Sequence, residues 1–302
     1  MLKYRTRIAF PSFDVPRAAY GGIFNAMSPK PLESAEWYAG FRERCLESVG
    51  RSFLPVYRMA DGEFLFLVGD KLHFTVKGFP RQVASFCLRT LGLGVDRSSG
   101  KWRLTRRNAY ATIWGESYLP AERSLLLPVY LGQLHEIARR GYLAAFLIEN
   151  SLGYCKSQIA DVLRTFSRNG IKLTVDNYVP FHFPLYMLTA ADCSAFYNKR
   201  SVLVVSSFGA EAKASVAAEL QRKGAKEVSF LRISPTHSMF DKINPSDVRP
   251  PVDIALVAAG IGSSNILPQL AFLDTLVVDV GGLLTCIARP GWKYHEFIEW
   301  HR

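Results

Sequence analysis

The chain has 302 residues, 49% hydrophobic and 21% charged, a globular composition that excludes a disordered chain. Lys and Arg number 37 against 26 Asp and Glu, a formal charge of +11. That excess suits an anionic partner (nucleic acid, a nucleotide phosphate or an anionic membrane surface) without choosing among them. The strongest apolar runs, at 202–205, 254–259 and 275–280, fall short of the ~20 residues a membrane span needs and read as buried strands. No continuous apolar segment follows Lys3, Arg5 and Arg7, so no signal peptide is expected. The five cysteines form no C-x-x-C pair, which disfavours a disulfide framework and a zinc knuckle and makes a reducing cytoplasm the expected compartment.

Residues 1–35 are punctuated by Pro11, Pro16, Gly21, Gly22, Pro29 and Pro31 and read as an irregular arm. A helix is predicted from Ser34 to Val49, with Trp37, Phe41, Cys45 and Leu46 on one stripe. A short strand follows at Phe53–Tyr57, then Arg58-Met59-Ala60-Asp61-Gly62-Glu63 and the apolar segment Phe64–Val68. The stretch from Arg81 to Arg140 reads as mostly helical with basic breaks. Within it Arg97, Lys101, Arg103, Arg106 and Arg107 surround Trp102, as a solvated face or as an electropositive rim.

From residue 142 a rhythm appears. Strands are predicted at Tyr142–Ile148, Ile171–Val175, Val202–Val205, Val228–Ile233, Asp253–Ala258 and Leu276–Val280. Helices are predicted at Lys156–Arg168, closed by Asn169-Gly170, at Glu211–Lys223, closed by Gly224, and from Ser264 through Phe272. Short Val/Leu/Ile runs alternating with helices mean βαβ units. The expected fold is α/β: a Rossmann-like, doubly wound, mainly parallel sheet with an N-terminal helical or irregular extension. Two segments are expected, an arm and helix at 1–50 and the α/β domain at 51–302.

Ligands of open parallel sheets bind outside the carboxyl ends of the strands. Gly260-x-Gly262-Ser263-Ser264 follows a strand and opens a helix. Glycines there let the backbone approach an anion, and serines and free N–H groups donate to it. Ser206-Ser207-Phe208-Gly209 is a second such loop. Neither completes a dinucleotide or Walker motif, and each equally suits a tight turn. Asp61 and Glu63 stand one residue apart where a strand ends. Two such carboxylates suit Mg²⁺ or Mn²⁺ shared with substrate phosphates, or else the positive end of a helix dipole. The six histidines show no zinc-hydrolase spacing, and no G-x-S-x-G elbow exists. The proline-broken aromatic run from Tyr178 to Tyr186 reads as a packed loop or as a stacking wall for a sugar or base.

The run Arg58-Met59-Ala60-Asp61-Gly62-Glu63 resembles the R-[FY]-G-D-G-E signature of the GT-D-type glycosyltransferases. The stretch from Ala258 to Leu267, followed by Val277-Val278-Asp279-Val280-Gly281-Gly282, is similar to that family's glycine loop and last strand, I-D-[IV]-G-[SH]. The resemblance spans roughly residues 51–302, with a diverged middle. It departs at Ala60, where the family has glycine, and at Gly282, where the family often has Ser or His. It implies a metal-dependent transferase that moves a sugar from a nucleotide sugar, a UDP-sugar above all, to a glycan, glycoprotein or lipid-linked acceptor. Asp61 and Glu63 would bind Mn²⁺ or Mg²⁺. Arg58, Ser207, Gly209, Gly260, Gly262, Ser263 and Ser264 would contact the nucleotide. Asp279 is the preferred base, with Glu149 and Asp176 as other strand-end acids. A cytoplasmic enzyme of polysaccharide biosynthesis is expected, in peripheral contact with an anionic membrane. The alternatives are a nucleic-acid-binding protein, motivated by the charge but lacking any recognisable module, and a nucleotide-binding protein without catalysis.

Overall fold

A computed structural model describes residues 34–69, 93–96, 103–106, 118, 120–147 and 153–287. Residues 1–33 of the expected arm at 1–35 and the candidate base Glu149 lie outside the described residues. The elements in order are α1 (Ser34–Ser48), β1 (Leu54–Met59), α2 (Asp61–Val68), β2 (Leu93–Asp96), β3 (Arg103–Arg106), α3 (Pro120–Arg140), β4 (Tyr142–Ala145) and α4 (Gly153–Arg168). Then come β5 (Tyr178–Pro180), α5 (Phe183–Thr189), α6 (Ser194–Tyr197), β6 (Ser201–Ser206), α7 (Ala210–Arg222), β7 (Glu227–Arg232), β8 (Ile254–Ala258), α8 (Ser263–Gln269), β9 (Leu276–Asp279) and α9 (Leu284–Ile287).

Seven strands form one parallel sheet in the order β5-β4-β1-β9-β8-β6-β7. This is the expected Rossmann-like α/β arrangement. Every residue of β1, β4, β6 and β9 is buried, as required of parallel strands covered on both faces. Val56 pairs in register with Tyr142 on one side and Val278 on the other. Strands β4 and β5 lead outward from β1, whereas β8 and β9 return to the centre from the far side. The last strand therefore lies against the first, and the loops that follow β1, β8 and β9 converge on one edge. On α1, Trp37 and Phe41 pack their rings 5.9 Å from Tyr178 and 5.0 Å from Tyr142, so helix and sheet share a core. No helix among the described residues is long and apolar enough to cross a membrane.

Three expectations are corrected. Ile171–Val175 is not a strand; the strand is Tyr178–Pro180. Helix α4 closes at Gly170 (φ +70°), with Ile171 N–H donating to Phe166 O at 3.0 Å. Asn177 then holds the chain in a turn, accepting from Thr174 N–H at 2.7 Å and donating to Lys172 O at 2.9 Å. The aromatic run contains helix α5, because Pro184 occupies its first turn, where no helical N–H is required. The stretch from Arg81 to Arg140 is not mostly helical throughout. Strands β2 and β3 pair antiparallel, Val95 against Leu104, and place Arg103 and Arg106 on a hairpin strand. Arg97, Lys101, Trp102 and Arg107 lie outside the described residues.

Candidate functional site

The carboxyl edge of β1, β9 and β8 is joined by a buried polar network. Asp279, 3% exposed, is its centre. Its Oδ2 accepts from Arg58 N–H at 3.2 Å, and its Oδ1 accepts from the Ser263 hydroxyl and Gly281 N–H, both at 3.0 Å. One carboxylate thus ties the ends of two strands to the start of α8, joining residues 221 apart in the chain. Burial pushes its pKa up to about 6, against the Arg58 charge and the three donors, which act to lower it.

Arg58 is buried. Its Nη1 donates to Val280 O at 2.6 Å, and its guanidinium carbon lies 4.3 Å from the centre of the Phe181 ring. Phe181 stacks on Phe146 at 4.0 Å. A guanidinium and a ring at these distances cannot share one face, so both faces of Phe181 are covered and this ring is not an open stacking wall. His182 stands edge-on to both phenyl rings. Burial first, then the Arg58 charge, push its imidazole down to about 3, which keeps it neutral.

Asp61 opens α2, and its side chain lies outside the described part of the structure. Glu63, two residues on, is buried and accepts from Ala60 N–H at 2.9 Å, the returning half of a capping box. Beneath it the Tyr57 and Tyr130 hydroxyls lie 3.1 Å apart. Burial above all, with the charges of Glu63 and Asp279 adding to it, pushes both phenols well above their usual range; the hydrogen bond between them raises Tyr57 and works against the rise at Tyr130. The charges of two carboxylates thus act on one pair of phenols. Oxygen donors of this kind fit a hard divalent cation. Among the described residues no three His, Cys, Asp or Glu side chains gather around one point.

The glycine loop is present but closed. Gly260 (φ +54°), Ile261 and Gly262 form a short 3-10 turn ahead of α8. Ser263 and Ser264 are fully buried. The Ser263 hydroxyl serves Asp279, and that of Ser264 lies 2.8 Å from Gln133 Oε1 and 3.0 Å from Ile261 O. The chain after β7 covers this loop: Ser238 donates to Ala259 O at 3.0 Å, and Asn265 Nδ2 donates to Ser238 O at 3.0 Å. A Cβ at Gly262 would fall 1.6 Å from Ser238 Oγ. The side of Gly262 that a side chain would occupy therefore faces Ser238 and not an open ligand site, against the expectation that this glycine contacts the nucleotide. Ser207 is half-buried and Gly209 exposed at the start of α7, one strand further out.

Asp176 is removed from the base candidates. It is exposed and precedes β5, which places it at the amino end of a parallel sheet, opposite this network. Sequence reasoning missed Tyr57, Tyr130, Gln133 and Ser238. Their one visible signal is Tyr57's place beside Arg58 at the end of an apolar strand. Compared with known proteins, the chain matches no family model, no curated protein and no solved structure.

The raised pKa of Asp279 has a consequence for stability. Its folded value, about 6, exceeds the ordinary 3.8. The stability it contributes is therefore fully present below about pH 4 and is lost as pH rises through 6. Denaturant midpoints of the wild type should fall over this window, and Asp279→Asn should remove that part of the slope. An unchanged slope in the variant would show that another group titrates.

Proposed function

We propose that the chain is a metal-dependent glycosyltransferase that takes its sugar from a nucleotide-sugar donor. One observation carries the reading: the segments 58–63, 259–264 and 279–282, singled out far apart in the sequence, meet at the carboxyl edge of the central strands, where open parallel sheets bind ligands. Asp61 and Glu63 are the residues that would hold the divalent cation. When bound, the cation would supply Lewis-acid stabilisation to the departing nucleoside diphosphate.

The chain's own residues orient and hold. Glu63 fixes the entry of α2 through Ala60. Arg58 keeps a buried positive charge at the edge where the donor's phosphates would lie. Asp279, poised near neutral pH, has the proton affinity of a general base, and its three hydrogen bonds also make it the tie that sets the spacing of the loops. The acceptor is a glycan, glycoprotein or lipid-linked saccharide, and the net charge of +11 favours contact with an anionic membrane.

A second reading is favoured by one observation. Both oxygens of Asp279 accept hydrogen bonds within the protein, which suits a structural carboxylate in a nucleotide-binding protein without catalysis. The two separate in a melting-temperature panel of nucleotide sugars with and without Mn²⁺, followed by assay of nucleoside diphosphate release. Stabilisation with release supports the transferase. Stabilisation without release supports the second reading, and no stabilisation by any nucleotide contradicts both.

A further inference from the structure

The closed glycine loop leaves open where the donor's diphosphate is held, and the helices that follow strands of the main sheet differ in what their starts offer. Helices α5 and α8 have seven residues each and α9 has four. Helix α2 begins with Asp61 and Glu63, and α7 carries Glu211 in its first turn. Carboxylates there compete with an anionic ligand for the same N–H groups and the same dipole end. Helix α4 runs for 16 residues and has no acid in its first turn. It leaves the carboxyl end of β4, next to β1, and packs along α2. Arg58 reaches from β1 to Phe181 just beyond β5, and β4 lies between those strands, so its positive charge crosses the edge from which α4 departs.

A second observation lies on α4 itself. Gln158, in the second turn, is 3% exposed, and its Oε1 has no hydrogen-bond partner. Buried amide oxygens are paired in the great majority of cases, and one without a donor destabilises the free protein. Helical side chains lean toward the N-terminus of their helix, so this amide leans over the first turn of α4. A ligand that offers a donor group beside an anionic group would satisfy both features.

We propose that the start of α4 holds the diphosphate of a nucleotide and that Gln158 accepts a hydrogen bond from a hydroxyl or N–H group of its nucleoside. The inference rests on the nucleotide-sugar reading and moves the phosphate contact from the 260–264 loop to α4, next to Ala60–Glu63.

The test is calorimetric titration of UDP and of pyrophosphate, each with Mn²⁺, into the full chain and its Gln158→Met variant, a change close in shape that removes the amide. UDP affinity should fall about tenfold or more in the variant while pyrophosphate affinity holds, since the amide reads the nucleoside. The melting temperature of the ligand-free variant should rise by about 2 °C, because the unpaired oxygen is gone. Wild-type UDP affinity in Gln158→Met would overturn this inference and leave the transferase reading standing. A lower melting temperature in the ligand-free variant would make the amide a structural tie and would also overturn it. A flat wild-type titration with every nucleotide would overturn the nucleotide-sugar reading, and this assignment with it.

Discussion

Glu63→Ala is expected to lower sugar transfer by at least about 100-fold, the scale of losing one strong electrostatic contact to developing charge, ~3 kcal/mol. The variant loses two things. One is an anionic oxygen from the proposed cation site. The other is the acceptor for Ala60 N–H, 2.9 Å away, worth ~1 kcal/mol of stability. Glu63→Gln separates them, because the amide oxygen still serves Ala60 while the charge is gone. Turnover should therefore fall in Glu63→Gln nearly as far as in Glu63→Ala, with less loss of stability. Asp61→Ala should lower turnover on the same scale. Steady-state rates with Mn²⁺, alongside denaturant midpoints, check all three variants. Transfer at the wild-type rate in Glu63→Ala and Asp61→Ala would remove both residues from the mechanism.

Gly262→Val should destabilise the fold by ~3 kcal/mol or more. Backbone strain is not the reason, since φ at Gly262 is −65°, open to any residue. The cause is steric: the new Cβ would fall 1.6 Å from Ser238 Oγ and 2.8 Å from the Ser238 carbonyl carbon. Relief requires moving the turn that covers the loop, which breaks the bonds of Ser238 to Ala259 and Asn265. Gly262→Ala should be milder in the same direction, and Ser238→Gly in the same chain should recover part of its loss by removing the nearest atom. At Gly141 no such rescue exists. A Cβ there would lie 1.9 Å from the Pro55 carbonyl oxygen, in the strand beside it, so Gly141→Ala should be at least as damaging. Denaturation midpoints decide, and a Gly262→Ala protein of wild-type stability would contradict the described contact between the loop and residue 238.

The sheet was legible because its strands are continuous Val/Leu/Ile runs, as in Ser201–Ser206 and Ile254–Ala258, a pattern that water-facing strands do not carry. Tyr178–Pro180 was missed because it is short and ends in proline, which an edge strand tolerates. Ile171 and Leu173 misled because they are buried without joining the ladder, their backbone drawn into the turn that Asn177 holds. At the site, the sequence marked the three segments that meet at the carboxyl edge, since glycines and acids at strand ends are local features. It did not show that Asp279 would sit on Arg58 N–H or that Ser238 would cover Gly262. Those contacts depend on β9 returning to lie beside β1 and on the chain after β7 folding back, and neither has a local signal.

We propose that the carboxyl edge of β1, β9 and β8 transfers sugar from a nucleotide with the help of a divalent cation at Asp61 and Glu63. Release of nucleoside diphosphate from a panel of nucleotide sugars, with a saccharide or lipid-linked acceptor present, tests it most directly. Release is expected from at least one donor with Mn²⁺ or Mg²⁺, abolished by a chelator and restored by added metal. Release that continues undiminished under chelation, or no release from any donor by the folded chain, would contradict it.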